Sequence, residues 1–298
     1  MTAREAGRPD AVLIAGPTAS GKSALALDLA RQFDGVVVNA DSMQVYDALA
    51  VLTARPGEEE MGGVEHVLYG HVPASRAYSV AEWLAEAVAA LDEIRSRGKV
   101  PILTGGTGLY FKALEEGLSP VPPIDEEVRR VWRKTAREAP ETLYPALQSR
   151  DPEAAVEIGS RDTQRLVRAL EVFDSTGKSL RVWQDEGRKA SPLAGLTTQK
   201  WLIDIDRAEL HRRIEARVER MVEQGALEEV RALVSLGLPP GLAVMQAIGV
   251  PQLAAHLAGE IDLETAIERI KAATRQYAKR QMTWFRHQMA PDWQARDA

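Results

Sequence analysis

The sequence predicts an α/β protein, a parallel sheet flanked by helices that carries an inserted all-helical domain. Three observations lead there. Short β-branched runs alternate with helical patterns through the first third of the chain, the rhythm of strands joined by covering helices. Gly16-Pro17-Thr18-Ala19-Ser20-Gly21-Lys22-Ser23 has the spacing G-x-x-x-x-G-K-[ST] between an apolar run and a helical one, so the core is expected to be P-loop NTPase-like. From about residue 120 the rhythm changes: Ser119-Pro120-Val121-Pro122-Pro123 opens a charged helical stretch without β signals that lasts to about residue 196.

Taken in order, the expected strands are Ala11 to Ala15, Gly35 to Asn39, Val100 to Thr104 and Trp201 to Ile205, each followed by a turn or cap signal. Ala24 to Ala30 is helical. Trp83, Leu84, Ala87, Val88, Leu91 and Ile94 share one face of a helix from Val80 to Arg97, which Gly98 stops and whose role is expected to be packing only. Leu210, Ile214, Val218 and Met221 mark a further helix ending near Gly225, and a last helix is expected from Leu263 to Arg286. The domains expected are 1–119 with 197–298, and 120–196 inserted between them.

Composition narrows the chemistry. The chain has 298 residues, which suits a large core plus an insertion, and it contains no cysteine, which removes disulfides, thiol nucleophiles and Cys-ligated zinc. No apolar run approaches the roughly 18 residues a membrane span needs, and the charged start Met1 to Asp10 lacks a secretory apolar core, so a cytoplasmic location and no membrane partner are expected. The net charge of −6 argues against nucleic acid, yet Lys271, Arg275, Lys279, Arg280 and Arg286 cluster late in the chain without an acid between them. A solvated helix face explains that stretch equally well.

In the phosphate loop, Gly16, Thr18, Ala19, Ser20, Gly21, Lys22 and Ser23 are the expected diphosphate-binding residues. The glycines turn backbone N–H groups inward, Lys22 adds a point charge, and the Ser23 hydroxyl suits Mg²⁺. Asp41 ends the second strand at the sheet's ligand-binding edge, and Thr104-Gly105-Gly106-Thr107-Gly108 makes a second glycine-rich turn there. The residues alone leave Asp41 open between a helix N-cap, a metal-associated acid of a nucleotide kinase, and a general base.

GPTASGKS at 16–23, NADSMQVY at 39–46, TGGTGLYF at 104–111, RDTQRLVRALEV at 161–172 and TRQYAKRQMTWFR at 274–286 together resemble the tRNA dimethylallyltransferases over nearly the whole chain. That resemblance implies transfer of a dimethylallyl group from dimethylallyl diphosphate to the exocyclic amine of the adenosine 3′ of the anticodon, with Mg²⁺ as cofactor. It implies catalytic roles for Asp41 as base, Thr107 beside the target base, Lys22, and Arg217 on the diphosphate. It also implies tRNA contacts from Asp41, Ser42, Met43, Gln44, Thr107 and Arg129, and from Gln164, Arg165 and Arg168 in the insertion, which would grip the anticodon stem-loop. A monomer is expected. Arg217 lies in a helix whose arginines could simply decorate a solvated face, and Arg165 and Arg168, three apart, could belong to an ion-pair network. The chain departs from the family at Tyr46 to Pro56, where Asp47 replaces a basic residue, which puts local tRNA contacts there in doubt. The alternative is a P-loop small-molecule or nucleoside kinase, ATP-binding, with the insertion as a lid.

Overall fold

The computed structural model describes residues 7–187 and 190–298. Most of the segment read for targeting, residues 1–6, lies outside the described residues. By its contacts the chain divides into two compact units, residues 1–115 with 192–298, and residues 116–191.

The first unit is built on a six-stranded sheet of order β3-β2-β4-β1-β5-β6. Its strands are β1 Ala11–Ala15, β2 Gly35–Asn39, β3 His66–Val67, β4 Val100–Gly105, β5 Thr198–Asp204 and β6 Gln294–Asp297, and every pairing is parallel. The four expected strands are present. Two were not expected, because β3 has two residues and β6 is exposed and polar. β1, β2 and β4 are buried along their whole length, as continuous apolar strands covered on both faces must be. Alternate residues of β1 divide between the two faces: Ala11, Leu13 and Ala15 join one core cluster, Val12 and Ile14 the other.

The helices of this unit follow from local signals. α1 Lys22–Phe33 starts at Gly21, whose φ of 90° suits glycine, and buries Leu25, Ala26, Leu29 and Ala30 against one sheet face. α2 Glu58–Met61 is a single turn. α3 Val80–Ser96 begins with a capping box in which Ser79 accepts from the Glu82 amide and Glu82 accepts from the Ser79 amide. α4 Gly108–Glu116 follows β4 directly. In the second unit, α5 Glu126–Glu138, α6 Leu143–Arg150, α7 Pro152–Ile158 and α8 Thr163–Thr176 enclose a separate core of Trp132, Leu143, Leu147, Leu166 and Leu170, and α9 Leu180–Asp185 follows outside it. Asp125, Asp151 and Asp162 cap three of them. Returning to the first unit, α10 Arg207–Glu223, α11 Ala226–Ser235, α12 Val250–Leu257 and α13 Leu263–Gln288 cover the other sheet face, and α13 starts at Asp262, which accepts from the Thr265 amide.

Candidate active site

β1 is flanked by β4 and β5, and the loops leaving β1, β2 and β4 meet at the carboxyl edge of the sheet, where open parallel sheets bind ligands. The first of these loops is Gly16–Ser23. Ala19 (φ 63°) and Gly21 (φ 90°) turn it through the left-handed region, and the amides of Ala19, Gly21, Lys22 and Ser23 donate to no carbonyl of the loop. Four N–H groups at a helix start are what an oxyanion needs. Lys22 Nζ donates to the Pro17 carbonyl at 2.6 Å, and burial drags its pKa down to about 8, against the pull of Asp41 and with a push from Arg217. The Thr18 amide donates to Gln281 Oε1 at 2.9 Å, and its hydroxyl accepts from Arg217 Nη1 at 2.9 Å, which leaves the O–H to donate.

β2 delivers the acid. Buried Asn39 accepts from the Asp41 amide (2.9 Å) and donates to the Asp41 and Leu68 carbonyls (3.0 Å each), fixing the strand's exit. Asp41 Oδ1 accepts from the Met43 amide at 2.9 Å; residues 42–45 form a turn, so the carboxylate caps a turn and not a helix. Oδ2 has no hydrogen bond among the described residues and lies on the Gly106 side, 3.4 Å from where a Cβ at Gly106 would stand. The negative charge of Asp41 acts on Lys22, Arg217 and Tyr277 alike, which places it at the centre of the group.

β4 closes the arrangement. A Cβ at Gly105 would sit 2.0 Å from the Ala40 carbonyl oxygen, so only glycine lets the ends of β2 and β4 come this close. Thr107 follows, its hydroxyl accepting from the Ser42 amide (2.9 Å) and donating to Ser42 Oγ (3.2 Å). Thr107 and Ser42 are therefore locked together beside Asp41. α3 was expected only to pack, but Trp83 Nε1 donates to the Asn39 carbonyl at 2.9 Å and its ring stacks on Tyr110 at 4.0 Å. It braces the strand that presents the acid.

A cavity of about 350 Å³ lies beside these groups, reaching the phosphate loop at Thr18 and the end of β2 at Asp41 and Ser42. Thr18, Asp41, Ser42, Thr53 and Arg217 form its polar part; Leu52, Ile214, Val218, Met221 and Ile270 form an apolar wall from α10, α13 and the loop after β2. Arg217 is not a solvated decoration: besides Thr18 it holds the Thr53 carbonyl at 3.0 Å, and burial lowers its pKa while Asp41 opposes that. Gln44 is turned to the same loop, donating to the carbonyls of Thr53 (2.9 Å) and Ala54 (3.1 Å). Tyr277 and Arg280, which line the cavity, and buried Gln281 lie in the stretch 274–286 that the sequence singled out as a motif without giving any of the three a role in the site. Of the late basic stretch, Lys271 pairs with Glu219 and Glu268, and Arg275 with Glu215; Arg280 has no acidic partner among the described residues.

No group of three or more His, Asp or Glu side chains suited to a metal occurs among the described residues. A magnesium ion would therefore take most of its ligands from substrate oxygens and water, its usual habit, and the exposed Ser23 hydroxyl at the start of α1 fits as a single protein ligand. Two buried hydroxyls, Ser20 Oγ and Thr104 Oγ1, lack partners, which suits a site completed by a bound group or water.

In the second unit, Arg133 meets buried Glu171 at 3.2 Å. Partial desolvation lowers the pKa of Arg168, Glu171 opposes that, and Arg129 and Arg133 add to it, so these three arginines surround one acid. Arg165 reaches Glu157 at 3.9 Å and Gln164 is exposed.

A G-x-x-x-x-G-K-S loop at the carboxyl edge of a parallel sheet, with a carboxylate and a partly apolar cavity beside it, defines a P-loop-type protein. The chain belongs to the IPP transferase family, whose model matches residues 44–288. It is 53% identical over 286 residues to a tRNA dimethylallyltransferase of Rhizobium meliloti (strain 1021), covering 96% of this chain and 94% of the relative. A tRNA dimethylallyltransferase of Agrobacterium fabrum is likewise 53% identical, over 287 residues, covering 95% of each. Among solved structures, the tRNA isopentenylpyrophosphate transferase of Bacillus halodurans is similar with a TM-score of 0.68 at 34% identity, covering 96% of this chain and 89% of that one. A eukaryotic dimethylallyltransferase acting on tRNA gives a TM-score of 0.78 at 31% identity, covering 96% and 73%.

Proposed function

We propose that the chain transfers a dimethylallyl group from dimethylallyl diphosphate to the exocyclic amine of the adenosine immediately 3′ of the anticodon in tRNA. The observation that carries this reading is the cavity, which connects the phosphate loop to Asp41 through apolar walls. The bond between the allylic carbon and the bridging oxygen breaks, and its electron pair leaves with the diphosphate. The free amides of Ala19, Gly21, Lys22 and Ser23, with Lys22 Nζ, are placed to stabilise that charge; Arg217 holds Thr18 in position. Mg²⁺, held by Ser23 and diphosphate oxygens, would neutralise the departing group further.

The amine's lone pair forms the new C–N bond, and its proton passes to Asp41 Oδ2, the oxygen left without a partner. The apolar wall takes the allylic fragment and keeps water from capturing it. The target adenosine must leave its stack to reach the cavity, at a cost of a few kcal/mol. Ser42, Met43 and Thr107 form the rim that would receive it. Arg129, Arg168, Arg165 and Gln164 are proposed contacts to the anticodon stem-loop. A tRNA acceptor supports a cytoplasmic location. Among the described residues no helix is long and apolar enough to cross a membrane.

The alternative reading is a nucleoside kinase; Arg217 and Arg280 in the cavity are compatible with it, whereas the wall of Ile214, Val218, Met221 and Ile270 favours an apolar group. The test is incubation of the protein with unmodified tRNA and either dimethylallyl diphosphate or ATP, followed by mass spectrometry of the digested nucleosides. An adenosine heavier by one dimethylallyl unit is expected with the first donor only. Phosphate transfer from ATP with no prenylated adenosine would reject the reading.

A further inference from the structure

Gln281 lies in the middle of α13 and is only 6% exposed, an expensive place for an amide unless both its ends are bonded. Both are. Oε1 accepts from the Thr18 amide at 2.9 Å, and Nε2 donates to the Gly106 carbonyl at 2.8 Å. The two partners lie in the loops leaving β1 and β4, which are adjacent in the sheet. One side chain therefore ties the phosphate loop to the glycine turn that carries Thr107. The amide's orientation is fixed, because turning it over would set donor against donor at Thr18 and acceptor against acceptor at Gly106. There is no slack either: a Cβ at Gly106 would lie 2.2 Å from Gln281 Nε2.

We infer that Gln281 is a positioning residue that holds the diphosphate loop in its binding shape and in register with the Asp41–Thr107 side of the cavity; this rests on reading Gly16–Ser23 as the diphosphate cradle. Thr18 is gripped twice, at the amide by Gln281 and at the hydroxyl by Arg217. The next residue, Ala19, occupies the left-handed region at φ 63°, a conformation that costs a non-glycine residue free energy and persists only where its surroundings over-determine it. The double grip supplies that. With the Thr18 N–H drawn aside, the ring of inward donors is left to Ala19, Gly21, Lys22 and Ser23.

The test uses the full chain and inorganic pyrophosphate as probe, titrated calorimetrically. Gln281→Met keeps the length and removes both bonds; about tenfold weaker pyrophosphate binding is expected, with kcat for prenyl transfer reduced and KM for tRNA unchanged. Gln281→Glu restores the original donor and acceptor only when its carboxyl is protonated. Its affinity relative to the unaltered chain should therefore recover as the pH is lowered. A folded Gln281→Met that binds pyrophosphate within about twofold of the unaltered chain overturns the inference. Should that variant not fold, the Gln281→Glu series decides: an affinity ratio independent of pH overturns it, and acid recovery supports it. An unaltered chain that binds pyrophosphate but transfers no prenyl group rejects the proposed reaction and leaves the clamp standing.

Discussion

Asp41→Asn is expected to separate binding from turnover. Asparagine keeps an Oδ1 for the Met43 amide, and the Asn39 side chain bonds only the backbone of residue 41, so the exit of β2 keeps its shape. What disappears is the capacity of Oδ2 to accept a proton. Positioned general bases contribute about 10²–10⁴-fold, which is about 3–5 kcal/mol of barrier. The charge change also reaches Lys22. Burial holds that amine at about 8 and Asp41 is the influence that keeps it from falling further, so its pKa drops in the variant. The protonated amine is the form that binds diphosphate and exists below the pKa, so the alkaline loss of pyrophosphate affinity should move toward neutral pH. Opposing this, the variant no longer sets a carboxylate beside the incoming anion. Near pH 6 the second effect dominates and affinity should match or exceed that of the unaltered chain. Single-turnover prenyl transfer, with pyrophosphate titrations from about pH 6 to about pH 9, measures both. Turnover within about fivefold of the unaltered chain would show that Asp41 is not the base.

Lys22→Met should abolish pyrophosphate binding yet stabilise the fold. The folded pKa of about 8 lies below the 10.5 of an ordinary lysine; below about pH 8 both states are protonated and the cost of burying the cation is fully present, and between those values stability rises with pH as the folded chain releases the proton first. Lys22 retains some solvent contact, so a gain of about 1–3 kcal/mol near pH 7 is expected, together with loss of the rise in melting temperature above pH 8. Gly105→Ala should cost about 3 kcal/mol or more, read by denaturant unfolding, because its methyl would collide with the Ala40 carbonyl carbon and oxygen, and neither is a flexible side-chain end. A variant as stable as the original would mean that β2 and β4 can separate at no cost.

How far the sequence reached depended on whether a residue's role is set by its neighbours in sequence or in space. β1, β2 and β4 were legible because buried parallel strands are apolar runs, β5 through the short apolar stretch Trp201 to Ile205, and α3 because Trp83, Ala87, Leu91 and Ile94 recur at helical spacing before Gly98. β3 and β6 carry no such signal; they are strands only because β2 and β5 offer them an open edge. In the site, Lys22 and Asp41 declared themselves through motif and strand end. Gln281 could not, since Thr18 lies 263 residues away, and a lone amide in an amphipathic helix reads as part of its polar face. For Ile214, Val218 and Met221 the spacing identified the inward side of α10, but nothing local says that a cavity opens against them.

The stretch after Tyr46, where this chain departs from the family pattern, owes its shape to bonds of its own. Asp47 Oδ1 accepts from the Ala74 amide at 3.1 Å, and Arg55 reaches back to the Tyr46 carbonyl at 2.9 Å. From α11, the Glu229 carboxylate accepts from three successive amides, Ala50 at 2.6 Å, Val51 at 2.9 Å and Leu52 at 2.9 Å, filling a backbone nest that would otherwise seek an anion. Those anchors fix where Thr53 presents its carbonyl, and that carbonyl receives both Gln44 and Arg217. The segment around Asp47 is thus held by bonds of its own, and it meets Arg217 through the Thr53 carbonyl. Because Leu52 stands in the cavity wall one residue earlier, the same nest also sets part of the apolar surface of the cavity. Loop shape, guanidinium position and cavity wall are thus fixed together by one glutamate.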